Sequence, residues 1–102
     1  MYDSNACSIL GGGAESWTWD EYFRQKELLG DKIVLVDMIN EPVEDSIPIS
    51  NEIFAGKYPE GTYFVLYCHS GGSSGYLQKQ LAPQLPQYKF INLAGGIGMY
   101  PK

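Results

Sequence analysis

The chain has 102 residues, 12 of them acidic and 7 basic, a formal net charge of −5, and 44% apolar residues. That length suits one domain with one core, and the apolar content is enough to fill it, which excludes wholesale disorder. The acidic balance argues against nucleic acid as a partner, and no apolar run reaches the roughly 18–20 residues of a membrane span, so neither nucleic acid nor membrane is expected.

The charge is unevenly placed. Residues 1–60 hold all 12 acids together with Arg24, Lys26, Lys32 and Lys57, whereas residues 61–102 hold Lys79, Lys89 and Lys102 and no acid. Two cysteines, Cys7 and Cys68, and a single histidine, His69, are too few for a closed zinc site, so neither metal nor cofactor is expected. With no secretion signal and no disulfide framework, a reduced, cytoplasmic protein is the expectation. A Cys7–Cys68 disulfide stays open as an alternative.

Residues 1–15 show no periodicity and contain Gly11-Gly12-Gly13, which reads as a flexible leader or linker, native or added for expression. Residues 16–102 form the domain. Thr18 and Glu21 have capping-box spacing, and Trp19, Tyr22, Phe23, Leu28 and Leu29 make an apolar stripe, so a helix is predicted over 19–29, stopped by Gly30. Residues 32–38 form a β-branched run suited to a strand buried on both faces. Residues 40–50, broken by Pro42 and Pro48, read as loop, and residues 51–55 as one helical turn.

A second buried-type strand, residues 62–67, delivers Cys68 at its carboxyl end. Ser73 and Ser74 are candidate N-caps for a helix carrying Tyr76, Leu77, Leu81 and Leu85, which Pro83 should end or kink near Ala82. Residues 89–93 give a third strand, closed by Gly95-Gly96. Alternating strands and helices imply an α/β layer with parallel pairing.

The segment Tyr67-Cys68-His69-Ser70-Gly71-Gly72-Ser73-Ser74-Gly75 is the candidate site. In open α/β sheets, sites form beyond the carboxyl ends of strands. A glycine-rich loop can turn backbone N–H groups inward as an anion cradle, and the next helix adds its positive end. A thiol held there should have a depressed pKa, stabilised by N–H groups of Gly71, Gly72 and Ser73 and the hydroxyls of Ser70 and Ser73. The bland alternative is a buried cysteine followed by an ordinary glycine turn. His69 is assigned to the pocket mouth, Asp37 to orienting the Cys68 loop by accepting backbone hydrogen bonds, Glu41 to a solvated loop, and Trp17, Trp19 and Tyr100 to packing.

The loop resembles the active-site loop of rhodanese-like sulfurtransferases, Cys-x-Ser-Gly-x-Arg-Ser, with Cys68, Ser70, Gly71 and Ser74 in register. Leu35-Val36-Asp37 resembles that family's strand ending in Asp. Ile47-Pro48 resembles the core of its Gly-His-Ile-Pro-Gly-Ala segment, and Phe90 to Ile97 its closing Leu-x-Gly-Gly signature. The resemblance implies a three-layer α/β fold, with a mostly parallel central sheet and helices on both faces. It also implies sulfur transfer through a persulfide on Cys68, with a small-molecule or persulfidated-protein donor.

Ser73 stands where the family has Arg, so the fixed cation for small anionic donors such as thiosulfate is missing. A catalytically weak interaction or regulatory module of the same fold is the alternative. Rhodanese-like domains attached to ThiF/MoeB-like adenylyltransferases can lack that Arg, and such a context implies a ubiquitin-like sulfur-carrier protein as acceptor. Phosphatase chemistry needs a loop Arg, and no Arg follows Arg24. A thiol-disulfide oxidoreductase normally needs Cys-x-x-Cys, which is absent.

Overall fold

The structure, a computed structural model, describes residues 15–101. Of the leader expected over residues 1–15, residues 1–14, Cys7 among them, lie outside the described residues, as does Lys102. Glu15 belongs to the domain instead, its carbonyl accepting from the Asn92 N–H at 3.1 Å.

Five strands form one sheet: β1 (Ser16–Trp17), β2 (Ile33–Asp37), β3 (Ser46–Pro48), β4 (Tyr63–Tyr67) and β5 (Lys89–Leu93), in the order β1-β5-β4-β2-β3. Every pairing is parallel. Helix α1 (Trp19–Leu29) links β1 to β2, and helix α2 (Gly72–Gln84) links β4 to β5. The two crossovers run in opposite directions along the sheet. With a common right-handed sense they must lie on opposite faces.

The core shows that arrangement. On one face Ile33, Leu35, Val65, Tyr67, Ile91 and Leu93 pack with Trp19 and Tyr22 of α1. On the other, Val36, Phe64, Leu66 and Phe90 pack with Leu77 and Leu81 of α2. The central strands are therefore apolar on both faces, which is why they read as unbroken apolar runs.

Helix α1 begins where predicted: Thr18 Oγ1 accepts from the Glu21 N–H at 3.1 Å. It ends at Gly30, whose N–H donates to the Lys26 carbonyl. Its predicted stripe is narrower than expected, since Leu28 is 73% exposed and Phe23 is also exposed, leaving Trp19 and Tyr22 as the buried anchors. The turn predicted over 51–55 is a short 3-10 helix, Asn51–Phe54.

Four expectations need correction. The stretch read as loop contains β3, a three-residue edge strand held by β2 rather than by its own sequence pattern. Ser73 and Ser74 do not cap α2: the helix starts at Gly72, and Gly71 occupies the cap position with φ of 99°. The helix also runs past Ala82 to Gln84. Pro83 cannot donate to the Lys79 carbonyl, but in the last, exposed turn that single lost bond is tolerated, and Leu85 N–H still reaches the Leu81 carbonyl. Tyr76, placed on the packed face by the spacing, is 68% exposed. No helix of the described residues is long and apolar enough to cross a membrane.

Candidate functional site

The connections from β4 and β2 leave in opposite directions, and it is beyond the carboxyl ends of strands at such a switch point that sheets of this kind carry their sites. Cys68 follows β4 there. Strand parity directs Tyr67 to the α1 face and Cys68 to the α2 face, and the Cys68 thiol meets the first turn of α2.

The thiol is only 4% exposed and is a free cysteine. Its sulfur accepts from the Gly71 N–H at 3.2 Å and the Ser74 N–H at 3.3 Å, and Ser74 Oγ lies 3.4 Å away. Burial pushes the thiol pKa up. The Ser74 hydroxyl and the N–H groups of Ser74, Gly71 and Ser70 more than offset that, lowering it to about 7. Charge on the sulfur gains these hydrogen bonds and the helix's positive end, and both favour the thiolate.

A left-handed Gly71 makes the turn from loop to helix. A Cβ at Gly71 would sit 3.1 Å from Gly95 N and 3.3 Å from the Leu93 carbonyl oxygen. The Gly95-Gly96 turn after β5 presses on the loop from the other side. Ile97 N–H donates to the Cys68 carbonyl at 2.8 Å and Gly98 N–H to the His69 carbonyl at 3.3 Å. Trp19 Nε1 donates to the Gly96 carbonyl at 2.8 Å, which ties the α1 face to the same turn. Trp19 also meets Tyr100 edge to face, centroids 4.7 Å apart.

The predicted residues are thus only partly brought together. Cys68, Gly71 and Ser74 form the cradle with the Ser70 N–H. Gly72 and Ser73, expected as N–H donors to the sulfur, do not reach it. As the first two residues of α2 they lie exposed at its open end. His69 is exposed, with Nδ1 3.6 Å from Glu41 Oε2. The acid-poor second half therefore does not stand alone, since a carboxylate from the first half reaches the loop. Asp37 is buried, but its Oδ1 accepts from Ile39 N–H at 2.8 Å in its own loop, not from the Cys68 loop.

One residue escaped the sequence reading. Asn92, on β5, accepts a hydrogen bond from the Ser74 hydroxyl. A polar residue interrupting Phe90-Ile91-Asn92-Leu93 just before a Gly-Gly turn was the available signal.

No protein-family model matches the chain, and no curated protein matches it. Among solved structures, it is similar to the crystal structure of the BH2092 protein from Bacillus halodurans, a Northeast Structural Genomics Consortium target. The identity is 15% and the TM-score 0.61, over 92% of this chain and 76% of that one. The chain has a three-layer α/β fold. At that identity the likeness is one of fold alone.

Proposed function

We propose that the protein is a rhodanese-like sulfurtransferase that carries sulfane sulfur as a persulfide on Cys68. The observation that carries this reading is the buried Cys68 sulfur, met by two backbone N–H groups and a hydroxyl at the start of α2, with its pKa drawn to about 7. At neutral pH such a thiol is substantially ionised, and the thiolate is the nucleophile.

The chemistry takes two displacements. The Cys68 thiolate attacks the outer sulfur of a donor persulfide. The donor's S–S bond breaks, and its electron pair leaves with the inner sulfur as a thiolate. An acceptor thiolate then attacks the outer sulfur held on Cys68, taking it as a new persulfide and returning the Cys68 thiolate. The cradle donors offset the negative charge on sulfur at both ends of the cycle.

Between residues 61 and 78 there is no Lys or Arg, and Ser73 is exposed where a fixed cation would hold a small anion. The donor is therefore a persulfidated thiol, best presented by a protein, in preference to thiosulfate. A protein that presents a thiol is the acceptor matching this step, in a reducing compartment such as the cytoplasm.

Intact mass after incubation with a persulfidated protein donor tests the reading. Wild type should gain about 32 Da, one sulfur atom, and Cys68→Ala should not. Equal behaviour of the two proteins with thiosulfate and with the protein donor would refute it. That outcome would favour the second reading, a non-catalytic module of the same fold, to which the 4% exposure of Cys68 and the lack of a loop cation also point.

A further inference from the structure

Ser74 is fully buried and its hydroxyl has one hydrogen, with two acceptors beside it. Its oxygen is 3.4 Å from Cys68 Sγ, and it donates to Asn92 Oδ1. While Cys68 is a thiol both contacts are satisfied: S–H donates to Ser74 Oγ, and the hydroxyl hydrogen goes to Asn92. Once Cys68 is a thiolate the sulfur can only accept. The hydroxyl hydrogen must then turn to the sulfur, and Asn92 Oδ1 loses its donor.

An amide can answer that reversal because it carries both kinds of group. Turned about its last bond, Asn92 presents Nδ2–H to Ser74 Oγ. The amide lies along Gly75, where a Cβ would be 3.3 Å from Nδ2, so glycine at that position leaves it room. We propose that Asn92 is a positioning residue for Cys68, acting through the Ser74 hydroxyl: it accepts that hydrogen while Cys68 is protonated and donates to the same oxygen once Cys68 ionises. The proton leaves Cys68 for the buffer, and Ser74 and Asn92 keep their charge throughout.

The charged groups nearby do not provide this control. Asp37 of β2 lies on the α1 side with Tyr67, while Glu41, from the loop after β2, faces the exposed His69. The first turn of α2 has no acid or base, Lys79 further along it is exposed, and residues 90–99 of β5 and its following turn contain no titratable side chain.

The test reads ionisation of the thiol, so it is independent of whether sulfur is transferred. Alkylation of the full chain by iodoacetamide across pH is followed on the Cys68 peptide in wild type, Asn92→Asp, Ser74→Ala and the double variant. An aspartate only accepts, so Asn92→Asp should raise the midpoint by about one pH unit, a tenfold loss of thiolate at a given pH. In the Ser74→Ala background the same change should give less than about half that shift, because the connecting hydroxyl is gone.

Gly75→Ala is the uncharged companion. It suits the helix, crowds the amide, and should also raise the midpoint only while Ser74 is present. It decides the matter if circular dichroism shows Asn92→Asp unfolded. A shift of equal size in both backgrounds, as a through-space charge or a general distortion would give, overturns the proposal. So does an unchanged midpoint in the folded variants.

Discussion

Gly96 and Cys68 are in backbone contact across the loop: a Cβ on Gly96 would overlap the Cys68 carbonyl oxygen and lie 2.7 Å from the His69 carbonyl carbon. Gly96 also has φ of 58°, where an L side chain is strained. The closing turn and the cysteine loop are therefore fitted to each other through a position that admits no side chain.

Gly96→Ala should cost about 2–4 kcal/mol, strain and overpacking together. Chemical denaturation measures the loss. In the fraction still folded, the Cys68 alkylation midpoint should move toward the ordinary thiol range as the loop is displaced. An alanine variant of wild-type stability and reactivity would show that the turn does not support the loop.

The cradle also makes stability depend on pH, with a definite sign. The Cys68 value of about 7 lies below that of an unfolded cysteine, about 8.5. The folded state releases the proton first, so the stabilisation is fully present above about pH 8.5 and is lost as pH falls through about 7. The stability difference between wild type and Cys68→Ala should therefore grow from pH 6.5 to roughly pH 9. Denaturation curves whose separation stays constant over that range would contradict this.

Trp19→Phe removes the donor to the buried Gly96 carbonyl and part of the packing under α1. The expected loss is about 2–3 kcal/mol. Unlike a surface change, it should also slow alkylation of Cys68 at neutral pH, since the Gly95-Gly96 turn loses its anchor. Thermal melts and alkylation rates on one preparation separate the two effects.

His69→Gln should do little. The His69–Glu41 contact is exposed on both sides and worth at most about 0.5 kcal/mol. No hydrogen bond joins His69 to the Cys68 sulfur, so the alkylation midpoint should stay in place. A midpoint displaced by His69→Gln would instead show that His69 acts on the Cys68 thiol.

The three central strands and the start of α1 were legible because their signals are local: apolar β-branched runs, and a capping threonine three residues before a glutamate. The edge strands were not, because two or three residues such as Ser16–Trp17 and Ser46–Pro48 have no periodicity of their own and are strands only beside β5 and β2. Cys68 was legible from its place at a strand end before glycines. Its donors were misassigned by propensity: serines favour N-caps, yet the turn demanded a positive φ, so Gly71 took the cap and Ser74 was carried one turn round to the sulfur. Asn92 was hidden by distance, being 18 residues beyond Ser74 in sequence.

The brevity of those edges has a further consequence. A row of unpaired amides along a sheet margin invites another chain to add a strand. Among the described residues, β1 offers two positions and β3 three, the last of them Pro48, which has no amide hydrogen to give. The apolar strands most able to template fibril growth are all interior. The sheet therefore gives an approaching copy almost nothing to extend, and the molecule should resist strand-addition aggregation for as long as it stays folded.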